Sequence, residues 1–346
     1  MDPAFSQAMT NIVEQIDRAL VEVLEEQIQL AEAVAPGSND VLDAVADFVN
    51  RGGKRLRGAL VVLGHRSRRP ESPEVLRVAA AMELFHAYIL AHDDIMDRDD
   101  LRRGGPTLHA HFIAQRDDVH RGLSLGILGG NLLCAWSHEI ILSLPDTVSA
   151  MRAIKELARA HSRAILGQCL DIEPPSLPTM LDVQRAHDLK RGEYSFLLPL
   201  RLGAVIAGAN DVFLNHFTPY AMHLGRAFQA KDDLLGIFGD PDITGKPIGA
   251  DILEGRHTWL VGDIFANHPE AGKALQEIFI DEDTDEAERV SQAIDIFEQT
   301  ESKLRCEAFI REQVSLASRA IEKAPITQEA REMLRGLAEY VEERSG

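Results

Sequence analysis

The stretch Glu83-Leu84-Phe85-His86-Ala87-Tyr88-Ile89-Leu90-Ala91-His92-Asp93-Asp94-Ile95-Met96-Asp97 decides how the rest of the chain is read. It reads as helix. Asp93 and Asp97 then stand four residues apart with their carboxylates on one face, and His86, seven residues before Asp93, lies near that face. Like charges at this spacing repel in an isolated helix. Set among Ile, Leu and Met, they ask for a compensating cation.

About 140 residues later, Gln229-Ala230-Lys231-Asp232-Asp233-Leu234-Leu235-Gly236 repeats the paired acids at the end of another apolar helical stretch, Ala221 to Phe228. Two such pairs are expected to face one another across a helical cavity. All-oxygen ligands suit Mg²⁺, which takes few protein ligands, keeps its waters and bridges to phosphate oxygens.

Basic motifs accompany both acid pairs. Gly52-Gly53-Lys54-Arg55-Leu56-Arg57 combines glycines, which allow close backbone approach, with cations able to hold a diphosphate by charge-assisted hydrogen bonds. Arg102-Arg103-Gly104-Gly105-Pro106-Thr107 begins five residues after Asp97, bringing guanidinium groups close to the proposed metal-bound phosphates. Thr244-Gly245-Lys246-Pro247 follows the second acid pair after a turn, and Lys190 lies on a helical spacing with Val183, Ala186 and His187 that points a cation inward.

Around these motifs the chain is helical throughout. Ile12, Ile16, Ala19, Val23 and Leu30 form one apolar stripe, and Ala330, Met333, Leu334, Leu337 and Val341 form another after a helix start at Thr327 to Glu329. Breaks fall at Pro36 to Asn39, Arg69 to Pro73, Leu144 to Asp146, Pro174 to Pro178 and Gly239 to Pro241. Alternating strand patterns are nearly absent, and no low-complexity linker separates two domains. One single all-α domain over residues 1–346 is the expectation. The composition agrees, with 5% aromatic and 45% hydrophobic residues among 346.

The formal net charge of −19 argues against nucleic-acid binding, which needs a basic footprint. Cys134, Cys169 and Cys306 are widely spaced and odd in number, as expected of a reducing cytoplasm. The first residues carry no basic region followed by an apolar stretch, so no signal peptide is expected, and no apolar run approaches the ~18–20 residues of a membrane span. His109, His111 and His120 are irregularly spaced and read as surface or turn histidines. The acidic run Asp281 to Glu288 reads as a solvated helix junction.

Taken in order, Gly52-Gly53-Lys54…Arg57, Asp93-Asp94-Ile95-Met96-Asp97, Arg102-Arg103-Gly104, Gly225…Phe228-Gln229…Asp232-Asp233 and Gly239-Asp240…Lys246-Pro247 resemble the trans-isoprenyl diphosphate synthases over roughly residues 50 to 260. The resemblance implies an all-α helical bundle around a central cavity and a homodimer. It implies that Asp93 and Asp97 hold two Mg²⁺ ions and Asp232 a third. Arg102, Lys190 and Lys246 would grip the allylic diphosphate, while Lys54, Arg57, His86 and Arg103 would hold isopentenyl diphosphate. Gln168 and Gln229 would orient polar groups toward the developing cation, and Asp171 would support the phosphate network.

Two departures stand out. Arg191 follows Lys190 where the family often has Thr, and Gly236 ends the second cluster where a third aspartate often stands, which ranks Asp233 below Asp232 as a ligand. In this family, bulk just before the first acid motif limits chain growth. Tyr88, with Ile89 beside it, lies roughly 7.5 Å along the helix from Asp93, which resembles synthases making C20, with C15 next. A terpene cyclase or head-to-head synthase, a metal-dependent phosphohydrolase using His86, His92 and Asp93, and a non-catalytic partner subunit remain as alternatives. The cyclase leaves Lys54, Arg57 and Arg103 unexplained, the hydrolase leaves the second cluster idle, and a partner subunit would be expected to have lost acids that are here intact.

Overall fold

The computed structural model describes residues 2–173, 179–240, 248–281 and 283–345. They form two compact units. One comprises Pro3–Leu157 with Pro199–Asn210, and the other Ala158–Leu198 with Asp211–Gly346 and the first two residues.

The first unit contains α1 (Pro3–Val34), α2 (Asn39–Asn50), α3 (Leu56–Arg66), α4 (Pro73–Met96), α5 (Leu108–Arg116), α6 (Val119–Leu142), the start of α7 (Thr147–Ile172) and most of α9 (Leu198–Ile206). Its core helix is α4, which packs against α1, α3 and α6. Pro73 opens it at the first turn, where no backbone donor is missed. Small Ala79, Ala80 and Ala81 and large Val78, Leu84 and Phe85 bury every side of it, and a helix apolar all round is a buried helix.

Glycine sets one close contact. A Cβ on Gly203 of α9 would lie 1.8 Å from the Val61 carbonyl, and one on Gly64 of α3 would lie 2.2 Å from that of Leu200. The two backbones touch because both lack side chains.

A short hairpin that alternation in the sequence does not foreshadow joins α4 to α5. Leu101–Arg102 pairs antiparallel with Gly105–Pro106. Its two turn residues, Arg103 (φ 51°) and Gly104 (φ 73°), are both left-handed, as a tight two-residue hairpin requires.

The second unit contains the short α10 (Asp211–Asn215) and is organised on α11 (Phe217–Phe238), which packs against the helices Ser302–Glu322 and Gln328–Glu343 and against a π-helical segment, Asp188–Leu197. That segment continues directly from α8 (Met180–His187), whose first turn is closed by a capping box between Thr179 and Asp182. The C-terminal helix matches the sequence reading: Thr327 caps it through the Ala330 N–H, and Ala330, Met333, Leu334, Leu337 and Val341 are buried. In α1, Ile12, Ile16, Ala19 and Val23 are buried, but Leu30 of the expected stripe is exposed.

Among the described residues α4 and α6 are both long and apolar enough to cross a membrane by length and composition, with 61% and 44% of their most apolar windows buried. Scattered charged residues break the apolar run in the sequence, while the average over 18 residues stays high. For α4, burial in the core accounts for the apolar content.

Candidate active site

The first acid motif ends α4. Asp93 and Asp97 are half-buried one turn apart, and Asp97 closes the helix by donating its N–H to the Asp93 carbonyl at 2.8 Å. Between them Asp94 turns inward and is completely buried. Arg102, on the first strand of the hairpin, donates its Nε to Asp94 and its Nη2 to Asp99 at 3.2 Å. Burial pushes the Asp94 carboxyl up to about 7 even though Arg102 pulls it down. Arg102 is therefore engaged by the acid motif itself, which its sequence-assigned role as a phosphate clamp did not anticipate.

Arg103 takes the other direction. Its guanidinium lies where a Cβ on Gly53 would be, 2.7 Å from Nη2, so the Gly52-Gly53 pair (φ 142° at Gly53) is what admits it. Burial, then the charges of Arg55, Arg102 and Arg57, hold its pKa below that of an ordinary arginine, with Glu83 opposing. Arg57 Nη1 meets His86 Nε2 at 3.0 Å, and Lys54 is exposed beside them. Arg55 belongs to the framework: it donates to Asp17 at 2.8 Å and to the Val49 carbonyl at 3.2 Å, while Glu83 accepts from the Gly58 N–H at 2.7 Å. Arg57, His86 and Arg103, distant in sequence, thus form one basic cradle of the kind that binds a phosphate dianion.

Tyr88, half-buried, sets its ring edge-on to Phe85 at 5.4 Å and to His92 at 4.7 Å, and burial raises its phenol pKa. Ile89 is half-buried next to it. Of the three scattered histidines, His109 is buried against Thr107 at 3.2 Å instead of lying at the surface, because the hairpin folds Thr107 over it. His111 packs on Phe112 and His120 is exposed.

In the second unit the two acids of α11 again divide. Asp233 is buried and both its oxygens are taken, by Gln229 Nε2 at 2.6 Å and the Trp259 N–H at 2.7 Å, and burial pushes its carboxyl up to about 7. Gln229 accepts in turn from Arg191 Nε at 2.7 Å. Asp232, 34% exposed, pairs through Oδ1 with Arg344, whose side chain is only 4% exposed. Lys190 Nζ donates to Asp171 at 2.6 Å. Burial pushes the Asp171 carboxyl up, but the charge and hydrogen bond of Lys190, with Arg256 and His187, outweigh it, and the net shift is downward. His187 is pushed down to about 4 by burial, despite Asp171. Gln168 stands one turn before Asp171 on α7. Lys246, with Thr244, Gly245 and Pro247, lies outside the described residues.

Asp94, Arg344 and Asp251 are the residues that sequence reasoning missed. Asp251 lies beside Gly236: a Cβ there would be 3.1 Å from Asp251 Oδ2, and the Gly249 N–H donates to the Gly236 carbonyl at 2.9 Å. The place open to a third acid on α11 is therefore filled by a carboxylate from the short helix Ala250–Leu253.

Among the described residues no three of His, Cys, Asp and Glu stand together as an all-protein metal cage. Mg²⁺ needs none, since it takes one or two carboxylates and completes its shell with water and substrate phosphates. The half-buried Asp93–Asp97 turn and the partly exposed Asp232 offer such oxygen donors, so the residues fit that ion.

A family model described as polyprenyl synthetase matches residues 39–297. The chain belongs to the polyprenyl synthetase family. It is 36% identical over 254 residues to a short chain isoprenyl diphosphate synthase of Methanocaldococcus jannaschii, covering 72% of this chain and 71% of that one. It is 34% identical over 239 residues to a (2E,6E)-farnesyl diphosphate synthase of Mycobacterium tuberculosis, covering 67% and 62%. A crystal structure of geranylgeranyl pyrophosphate synthase from Corynebacterium glutamicum, complexed with isoprenyl diphosphate and magnesium, superposes with a TM-score of 0.86 at 29% identity, covering 96% of this chain and 98% of that one. This polyprenyl synthetase is accordingly an all-α prenyltransferase of the short-chain isoprenyl diphosphate synthase type.

Proposed function

We propose that the enzyme condenses isopentenyl diphosphate with an allylic diphosphate, with Mg²⁺ as its metal, and stops at the C20 product, geranylgeranyl diphosphate, or failing that at the C15 product, farnesyl diphosphate. The observation that carries this reading lies within one unit. An acid turn, Asp93–Asp97, suits a metal-bridged diphosphate, and a separate basic cradle of Arg57, His86 and Arg103 suits a second diphosphate held without metal. An enzyme acting on one diphosphate has no use for the cradle.

In this reading Asp93 and Asp97 would hold two metal ions and Asp232 a third, which when bound would supply charge neutralisation for the departing allylic diphosphate. Lys190, Lys246 and Arg102 bind the same diphosphate, Arg102 while also fixing Asp94. Lys54, Arg57, His86 and Arg103 orient isopentenyl diphosphate so that its double bond meets the allylic carbon. The allylic C–O bond breaks, the double bond supplies the electron pair for the new C–C bond, and a proton is then lost to the diphosphate leaving group. Stabilising charge on the leaving group chiefly in the transition state is what lowers the barrier. Gln229 and Gln168 turn their amide dipoles toward the cation, and Tyr88 with Ile89 limits the length of the growing chain.

A homodimer is part of the proposal, supported by the exposed apolar side chains Ile127 and Leu128 (59% exposed) on α6. A cytoplasmic location accords with three free thiols. Incubation with Mg²⁺, labelled isopentenyl diphosphate and C5, C10 or C15 primers tests the reaction. Products ending at C20 or C15 support it, and no incorporation from any primer overturns it. Sedimentation of wild-type protein against Leu128→Glu tests the dimer, which the charge should split.

A further inference from the structure

The C-terminal helix delivers one arginine onto the second acid motif. Arg344 follows Glu343, the helix's last residue, and its N–H donates to the Tyr340 carbonyl at 3.0 Å. The helix is fixed by its buried apolar face and by the Tyr220 hydroxyl, which donates to the Leu334 carbonyl at 2.7 Å. The guanidinium carbon lies over the Phe228 ring, 3.9 Å from its centroid, and the group donates from Nη2 to the Phe228 carbonyl at 2.9 Å and pairs with Asp232 Oδ1. Its charge also lowers the pKa of neighbouring Lys231, after burial. Asp232 Oδ2 makes no hydrogen bond among the described residues.

Such an arrangement is costly to build by accident. A nearly buried guanidinium needs compensation, and here a ring face, a carbonyl and one carboxylate oxygen supply it at the ring face and Nη2, while the buried Nε has no hydrogen-bond partner among the described residues. It leaves Asp232 oriented, half neutralised, and with one oxygen that accepts no hydrogen bond from the described residues.

We propose that Arg344 is a positioning residue for Asp232, one that weakens its hold on a bare cation and so makes metal capture depend on the diphosphate. A cation arriving alone meets a carboxylate whose charge is already partly offset and whose neighbour repels it. A cation arriving with diphosphate brings its own negative charge, which the same guanidinium favours. The inference rests on the assignment of Asp232 as a metal ligand.

The test is binding of Mn²⁺, followed by electron paramagnetic resonance, to the full chain with and without inorganic pyrophosphate. In wild-type protein pyrophosphate should strengthen Mn²⁺ binding. Arg344→Gln, which keeps a polar side chain over Phe228 but no charge, should bind Mn²⁺ alone on the order of tenfold more tightly and reduce the gain from pyrophosphate by a similar factor. Arg344→Lys should restore most of the wild-type ratio, whereas a merely structural arginine would lower thermal stability in both variants and leave the ratio unchanged. An unchanged ratio in Arg344→Gln, with Asp232→Asn defective in binding Mn²⁺ and pyrophosphate together, overturns the role of Arg344 alone. If Asp232→Asn binds that pair as wild type does, the ligand assignment fails and this inference with it.

Discussion

The two acid motifs resemble each other in sequence and differ in how the fold spends its arginines. At the end of α4 the arginine goes to the buried acid: Arg102 neutralises Asp94, while Asp93 and Asp97 keep the outer face. On α11 the buried acid is hydrogen-bonded, among the described residues, by the neutral Gln229 amide and the Trp259 N–H, and the arginine goes to the outer acid, Asp232. The lesson is that a doubled aspartate marks one outward and one inward carboxylate, and that the inward member holds the helix end in place. The first motif presents two carboxylates and its cation lies behind them. The second presents one, and its cation lies on it.

The largest effect should come from the outer acids. Asp93→Ala is expected to lower kcat by at least ~10³-fold, and Asp232→Ala by roughly 10²-fold, since a pre-organised charge on a leaving group is worth several kcal/mol. Steady-state kinetics over a Mg²⁺ titration checks this, with urea denaturation confirming unchanged stability. Equal losses would mean that the arginine on Asp232 makes no functional difference between the motifs.

The inner acids should fail differently. Asp94→Ala leaves Arg102 beside a void with one partner fewer, and breaking a buried pair from one side costs roughly 3 kcal/mol. Urea midpoints should fall accordingly, with Mg²⁺ affinity changed less than in Asp93→Ala. Asp233→Asn sharpens the comparison through pH. With its folded pKa raised to about 7 from the ordinary aspartate value of 3.8, Asp233 favours folding fully below pH 4, and that contribution is lost as pH rises toward 7. In metal-free protein the Asn variant should therefore lose less stability between pH 4 and 7 than wild type. His187, depressed to about 4, acts with the opposite sign and loses its contribution as pH falls from 6.5 to 4, so the two must be separated by slope, not by a single midpoint.

Much of this was legible in the residues and some of it was not, for physical reasons. The ends of α1, α3, α6, α7 and α11 and the start of α4 follow the Pro and Gly punctuation, and the C-terminal helix follows its cap and its 3.6-residue stripe, because these signals are local. The Arg102–Gly105 hairpin escapes such reading, since strands of two residues show no alternation and only the left-handed pair Arg103-Gly104 betrays it. Asp94 hid inside a motif whose three acids look alike until one is buried. The meeting of Arg344 with Asp232, 112 residues apart, and the carboxylate of Asp251 beside Gly236 depend on packing that no local pattern encodes. Lys190 and Arg191 sit in a π-helical stretch, where counting by 3.6 misplaces side chains, so the link from Arg191 to Gln229 was not foreseeable from spacing.

That link gives a smaller effect to look for. Arg191→Thr restores the residue the family often carries and releases Gln229 Oε1 while leaving its hold on Asp233. The expected change is less than tenfold in kcat, with KM for the allylic substrate rising more than KM for isopentenyl diphosphate.

The smallest change in rate should accompany the clearest change in product. Tyr88 stands on α4, above the same helix end that carries Asp93 and Asp97, and its ring is braced by Phe85 on one side and His92 on the other. His92 is itself immobilised: its Nε2 meets the Ile127 carbonyl at 3.2 Å, and its ring occupies the place a Cβ on Gly130 would take. A braced ring cannot swing aside to admit a longer chain, whereas an isolated one could. Tyr88→Ala removes that bulk at a half-buried position, so kcat should stay within about threefold, while the product should lengthen by at least one five-carbon unit. Sizing the products of the variant from a C15 primer decides it. An unchanged length would show that the α4 face below the first acid motif is not where growth stops, and would leave the difference between the two motifs confined to how they hold charge.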